Sequence, residues 1–462
     1  MHSPEAKPMP PTPVWVGRLA LELRRLAAPL LGGRRDGLLS FTFEVPIGPF
    51  APSAAAARRW FYWHRPESDH RLLGVGEAFS ARERGEGRFA RLGRQVRRLQ
   101  EQWTHINQGR ADPLARAFLG FAFDPEERPE GAWRTFPNAA WVVPTLLLEW
   151  REDRCTLTFT HHCGRRSPTA GQVVDGWISQ LRRLLEASAE GEPGEPLRLL
   201  NRRESPGAER WKAEVAAAVT AIREGERLRK VVLSRTLELG FQAPPPIGPL
   251  LQALARDFPG CATLGARFGE NALVAATPER LLALRRGEVF SDAIAGTLPD
   301  DAVVADEGMR WHEHQPVVEG IRAALGPWCE EVDAAARPRL LRMPAFSHLA
   351  TPVRARLRRD ADLFFLLDAL HPTPAVGGVP REEAMAWIRG CEGHRRGWYT
   401  GAFGWMADLG RAELSVVLRC GLVEGAHLTL FAGAGITEVS DPRAELGETD
   451  LKFRTLLDRL PQ

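Results

Sequence analysis

Hydrophobic and polar positions along this chain alternate in two periods, one helical and one strand-like, and the period changes often. Near the start, VWVGRLALELRRLAAPLL (14 to 31) spaces its apolar residues three and four apart, which predicts an amphipathic helix behind a Pro-rich segment, 1 to 13, expected to be disordered. LLSFTFEVP (38 to 46) and FYWH (61 to 64) carry the aromatic and β-branched content of strands. ARLGRQVRRLQEQW (90 to 103) returns to helical spacing with a basic face, and FLGFAFDP and AWVVPTLLLEW then read as one strand each. The Gly/Glu/Pro stretch EGEPGEP (190 to 196) is the best internal boundary, dividing a half at 14 to 200 from one at 201 to 462.

Past that boundary the pattern is more regular. AERWKAEVAAAVTAIREGERLR (208 to 229) predicts a helix leading straight into the alternating strand KVVLSRTLEL. VFSDAIAGT (289 to 297) reads as a strand ending in a tight glycine turn, and RWHEHQPVVEGIRAAL (310 to 325) as a helix. GWYTGAFGWMAD, ELSVVLRCGLV and LTLFAGAGITEV read as three strands, and DPRAELGETDLKFRTLLDRL (441 to 460) as a closing helix with acids in its first turns. Alternation of this kind, without a repeat of solenoid length, predicts an α/β (layered α+β) fold around one large core.

With 462 residues, 44% hydrophobic and 26% charged, the chain has a globular composition, which excludes wholly disordered, collagenous and coiled-coil proteins. A net charge of +3 gives no electrostatic footprint for nucleic acid or an anionic membrane surface. No run approaches the roughly 20 apolar residues of a membrane span. Arg18, Arg24 and Arg25 interrupt the apolar N-terminal helix, and no signal-type cleavage region follows it. A soluble, cytoplasmic protein is the expectation. Six cysteines without a C-x-x-C pair suit reduced thiols better than a disulfide framework or a zinc site. Only four of the 61 basic residues are lysines: Lys7, Lys212, Lys230 and Lys452. Where arginine serves as the ordinary cation, an internal lysine points to a task that needs a removable proton.

Lys230 opens a Val-rich strand, where desolvation would prepare it as a base; an ordinary strand-opening lysine fits the same place. Glu279, in ATPERLL after the apolar NALVAA, could be a buried acid with a raised pKa, or a carboxylate at a helix start. Glu313 lies between His312 and His314, whose helical directions are about 100° apart per residue, so the three do not form a zincin pattern. A lone glutamate is more compatible with Mg²⁺. Glu445 and Glu448 share a face of the closing helix and could complete a magnesium site, or simply favour the helix N-terminus. Gly433 and Gly435 permit close backbone approach to an anion, and Tyr399 with Arg419 could clamp a carboxylate. No dinucleotide fingerprint or P-loop is present. These residues supply a base, an acid, hard-metal carboxylates and an anion clamp without naming a substrate.

The ordered strings KVVLSR, ATPERLL, AIAGT, HEHQPVV, FSHLATPVRARL, LHPTPAVGGVPR, RGWYTGAFGW, LRCGL, FAGAGI and SDPRAELGETDLK resemble the chorismate-utilising enzymes, most closely the isochorismate synthases. They span about residues 208 to 462; the N-terminal half matches only in GVGEA and FLGFAFDP. The resemblance implies large antiparallel sheets with helices outside and a Mg²⁺-dependent site for chorismate. It implies that Lys230 activates water for attack at C2 and that Glu279 protonates the departing C4 hydroxyl. It places Glu313 and Glu445 as metal ligands with Glu448 in support, and Gly296, Thr297, His348, Tyr399, Arg419, Gly433 and Gly435 around the substrate. Anthranilate synthases usually carry glutamine at the Lys230 position, and aminodeoxychorismate synthases a lysine where this chain has Ala295. Water addition is therefore favoured over amine transfer, and no glutamine amidotransferase partner is expected. The alternatives are a salicylate synthase that continues to salicylate and pyruvate, and a chorismate-binding protein without catalysis. The chain departs from relatives in a short link after AIAGT, in Arg310 where some carry an acid, and in Ser347. The pathway fed (menaquinone, siderophore or salicylate) stays open, as does the choice between monomer and weak dimer.

Overall fold

The computed structural model describes residues 13–461 apart from 32–35, 53–56, 109–114, 165–167, 191–195, 226, 300–306 and 344–345. For 189–190, 297–299, 307–313 and 346 it describes the backbone alone. The Pro-rich start (residues 1–12) and the core of EGEPGEP therefore lie outside the described residues.

Two large sheets form the molecule. The first runs in the order Leu199–Ser205, Lys230–Phe241, His427–Ile436, Cys420–Glu424, Asn271–Thr277, Ala262–Phe268, Arg59–Arg65, His70–Val75, Leu146–Arg151, Arg154–Cys163, Gly37–Val45 and Trp103–Asn107. The second runs Cys329–Ala334, Phe346–Leu357, Glu288–Pro299, Arg280–Arg285, Arg411–Val416, Ala402–Asp408, Ala117–Phe121, Ala139–Val143 and Phe79–Glu83. Among the described residues pairing is antiparallel except where Gly37–Val45 meets Trp103–Asn107. Both sheets draw strands from both halves of the chain: Arg59–Arg65 pairs with Ala262–Phe268, and Ala117–Phe121 with Ala402–Asp408.

The sheets face each other through an aromatic layer. Phe61 of the first stacks on Phe118 of the second at 5.3 Å, and Phe118 on Phe403 at 5.9 Å; such ring pairs add to simple area burial. The outer faces are covered by helices. Val14–Leu31, Ala170–Glu190, Ala208–Glu224 and Ile247–Asp257 pack on the first sheet, and Arg88–Glu101 and Leu363–Leu370 on the second. Sheets buried on both faces have continuous apolar strands, as Asn271–Thr277 does. No described helix is long and apolar enough to cross a membrane.

That double burial explains two corrections. AWVVPTLLLEW is two strands, because at Pro144 and Thr145 the chain leaves the second sheet for the first; proline has no N–H to continue a ladder. ELSVVLRCGLV is likewise Arg411–Val416 in the second sheet and Cys420–Glu424 in the first, with Arg419 between them at φ +49°. An apolar run that stays buried through a crossing hides the break. Three smaller corrections follow. The helix from 208 ends at Glu224 rather than at 229, with Gly225 closing it through its N–H to Ala221 O. VFSDAIAGT does not end in a turn: the strand continues to Pro299, with Gly296 (φ +77°) at a β-bulge. In GWYTGAFGWMAD only Ala402–Asp408 is strand; Tyr399 sits in the preceding turn beside Thr400 at φ +58°.

Candidate active site

The crossings build the site. Pro278 and Glu279 link Asn271–Thr277 of the first sheet to Arg280–Arg285 of the second, so the carboxyl is delivered between the sheets; the helix-start reading of Thr-Pro-Glu does not hold. The Glu279 backbone is fixed by Val416 N donating to its carbonyl at 3.0 Å. Here Glu279, Gly296, His348, Tyr399, Arg419, Gly433, Gly435 and Glu448 line one cavity of about 60 Å³.

Glu279 is 3% exposed. Burial pushes its carboxyl up to about 8, and the Asp292 charge adds to the rise, while Arg419, Lys230 and Lys452 oppose it. Its neutral form at pH 7 is that of a proton donor. His348 is pushed down to about 3 by burial and then by the Arg419 and Lys452 charges, so its ring is neutral. One tautomer satisfies its contacts: Nδ1–H donates to Gly296 O (3.2 Å), and Nε2 accepts from Arg419 Nη2 (2.6 Å). The bulge at Gly296 thus orients the histidine, and the histidine orients the guanidinium. Tyr399 stacks on Phe431 at 5.2 Å, and burial raises its phenol, which keeps the O–H a donor. A Cβ on Gly433 would lie 2.6 Å from Leu233 O and 2.8 Å from Tyr399 Oη, so only glycine lets that hydroxyl come so close.

Lys230 is 2% exposed. It does not line the small cavity but a neighbouring one of about 780 Å³, with Arg229, Glu319 and Gly378 among its walls. Its charge nonetheless acts on Glu279 and on His314. The VGG motif has a structural task here. Gly377 O accepts from Val232 N and Val379 O from Arg229 N, both at 2.8 Å. A Cβ on Gly378 (φ +147°) would stand 2.2 Å from Lys230 O. The glycine lets this segment lie along the start of the lysine strand.

The closing helix, Pro442–Leu457, is capped by Asp441, whose side chain accepts from Arg443 N and Ala444 N. Glu445 and Glu448 are both half-buried on it, one turn apart, and only Glu448 lines the cavity. Glutamate oxygens are hard donors of the kind Mg²⁺ takes, one or two carboxylates at a time, and Glu448 Oε1 here accepts from Lys452 Nζ. The side chains of Glu313 and Thr297 lie outside the described residues. Among the described residues no three of His, Cys, Asp and Glu converge for a metal. His314, next to Glu313, is buried against Thr351 Oγ1 at 2.7 Å and lowered to about 4 by burial and by Lys230.

Two contributors to the site carry no motif in the sequence. Lys452 lines the cavity, with Nζ donating to Gly433 O at 2.8 Å and to Glu448 Oε1 at 2.5 Å; its signal was the rarity of lysine. Arg396 donates to Val376 O and Val232 O, at 3.0 and 2.7 Å, and pairs with Glu392, bracing two wall residues from behind. Nothing in the local pattern marks Arg396 among so many arginines. Arg419 and Lys452 beside a neutral acid make a site for an anion that needs a proton delivered.

These features define an enzyme built around anion binding and acid catalysis. The family profile described as "Chorismate binding enzyme" matches residues 33–461, and the chain belongs to that family. It is 33% identical to the salicylate biosynthesis isochorismate synthase of Pseudomonas aeruginosa, over 92% of this chain and 90% of that one. It is 30% identical to isochorismate synthase MenF of Bacillus subtilis, over 87% of each. The solved structure of the menaquinone-specific isochorismate synthase MenF of Escherichia coli matches with a TM-score of 0.78 and 25% identity, covering 96% of this chain and 100% of that one.

Proposed function

We propose that this protein is an isochorismate synthase, converting chorismate to isochorismate. Water adds at C2 of the ring, the double bonds shift, and the C4 hydroxyl leaves as water once protonated. Atoms balance: one water enters, one departs, and the substrate is isomerised. The observation that carries this reading is Glu279, kept protonated by burial, sharing a cavity with Arg419 and Lys452, in a chain similar to isochorismate synthases over nearly its whole length.

Glu279 donates the proton to the leaving hydroxyl. Lys230 takes a proton from the attacking water, and Arg419, Tyr399 and Lys452 hold the carboxylates. Glu313, Glu445 and Glu448 are the residues that would hold Mg²⁺, which when bound neutralises the ring carboxylate and stabilises the charge that moves across the ring. Thr297 would join Gly296, Gly433 and Gly435 against the substrate. Ala295, buried and apolar, lines the cavity, which supports addition of water rather than capture by a lysine. Turnover in water labelled with heavy oxygen tests the reading: the label is expected in the C2 hydroxyl of the product. Product without label would contradict it.

A further inference from the structure

The strand that opens with Lys230 is flanked on one side by His427–Ile436, paired from Val231 to Gly240. Its other side is broken. Leu199–Ser205 pairs with it from Thr236 onward, and Gly378–Val379 pairs with Lys230 and Val231. Among the described residues, no strand lies beside residues 232–235 on that side. The backbone groups there still need partners. Val232 N donates to Gly377 O at 2.8 Å, and two side chains take up the next groups. Arg396 Nη2 donates to Val232 O at 2.7 Å, and Ser234 N donates to Glu392 Oε1 at 2.8 Å. Ser234 Oγ donates to the same Oε1 at 2.9 Å and accepts from His394 Nε2 at 2.9 Å. Glu392 and Arg396 are bound to each other, with Arg396 Nε donating to Glu392 Oε2 at 2.7 Å, and their side chains are only 5% and 2% exposed.

We propose that Glu392 and Arg396 are positioning residues for Lys230: their ion pair stands in for the missing strand beside residues 232–235 and so fixes where the lysine is held relative to the cavity. Lys230, Val232 and Ser234 alternate onto one face of the strand, so the two anchored residues are the next ones along the lysine's own face. Arg396 Nη1 also donates to Val376 O at 3.0 Å, and Val232 and Val376 both line the cavity that holds Glu279. The pair therefore ties the lysine strand to a second wall, while neither Glu392 nor Arg396 lines the cavity itself. Burying an ion pair is often no gain in stability over apolar packing of the same volume. Apolar side chains, however, could neither accept from Ser234 N nor donate to Val232 O, and the open strand edge would keep its polar groups unmet.

The inference rests on Lys230 being the base of the proposed reaction, and its test separates the two. Wild type is compared with Glu392→Gln, which keeps an acceptor for Ser234 N without the charge, and with Arg396→Lys, which keeps the charge without the planar fork. In each variant kcat for chorismate is expected to fall by about ten- to a hundredfold, with KM within about threefold of wild type. The second readout needs no turnover. The chain has only four lysines, so limited acetylation followed by peptide mass spectrometry reads each one separately. Lys230 is expected to react at least about threefold faster in both variants, while Lys452, which lines the cavity from the closing helix, keeps its rate. An unmoved Lys230 rate in either folded variant overturns the proposal, as does an equal rise at Lys230 and Lys452, the mark of general loosening. Where the wild type is active, a kcat within about twofold of it in either variant also overturns the proposal. A selective rise at Lys230 in a protein that makes no isochorismate would keep this inference and remove the proposed function.

Discussion

Glu279 holds its proton to about pH 8 because burial and the Asp292 charge outweigh three cations around it. The folded state thus binds this proton more tightly than the unfolded chain, whose value is near 4.5. Its stabilising contribution is fully present below about pH 4.5 and is lost as pH rises through about 8. Glu279→Gln should therefore flatten the fall in Tm between pH 5 and 8, while lowering kcat by at least a hundredfold. A kcat within threefold of wild type would remove its acid role. Lys230→Ala should abolish water addition yet leave the ligand affinity within a few fold; calorimetry with chorismate separates the two. Both residues stood out in the sequence because a charge inside an apolar run needs a reason. Lys452 was visible only as a compositional oddity: its role depends on a helix packing beside Gly433, a contact no local pattern contains.

At the scale of elements, the segments that carry the site are short links between strands of different sheets. Glu279 and Arg419 both lie in such links, and Tyr399 in a turn before a strand. The strands were legible from apolar and β-branched runs; the crossings were not, because burial continues through them and alternation carries no break. The glycine-rich segments were read as permissive backbone, and for Gly433 and Gly378 the reason is now specific. Gly378→Ala would place a methyl against Lys230 O at a backbone angle suited to glycine, so a loss of about 2–4 kcal/mol in stability is expected. Chemical denaturation checks it, and an unchanged midpoint would show that the segment need not lie along the lysine strand.

Across the whole molecule, residues 201–462 do not close their own sheets. Ala262–Phe268 and Ala402–Asp408 each need a partner strand from before residue 200. Residues 201–462 expressed alone should therefore aggregate or stay unfolded, since two long apolar edges would be open. A soluble, cooperatively melting fragment would refute this. The layered architecture was legible from the alternation of periods, whereas the interleaving of the halves was not, because pairing partners lie some 200 residues apart. Purified protein is incubated with chorismate, with and without Mg²⁺, and the products are separated by chromatography. Isochorismate formed only with the metal is the predicted result; salicylate with pyruvate, or no product from a protein that binds chorismate, would contradict it.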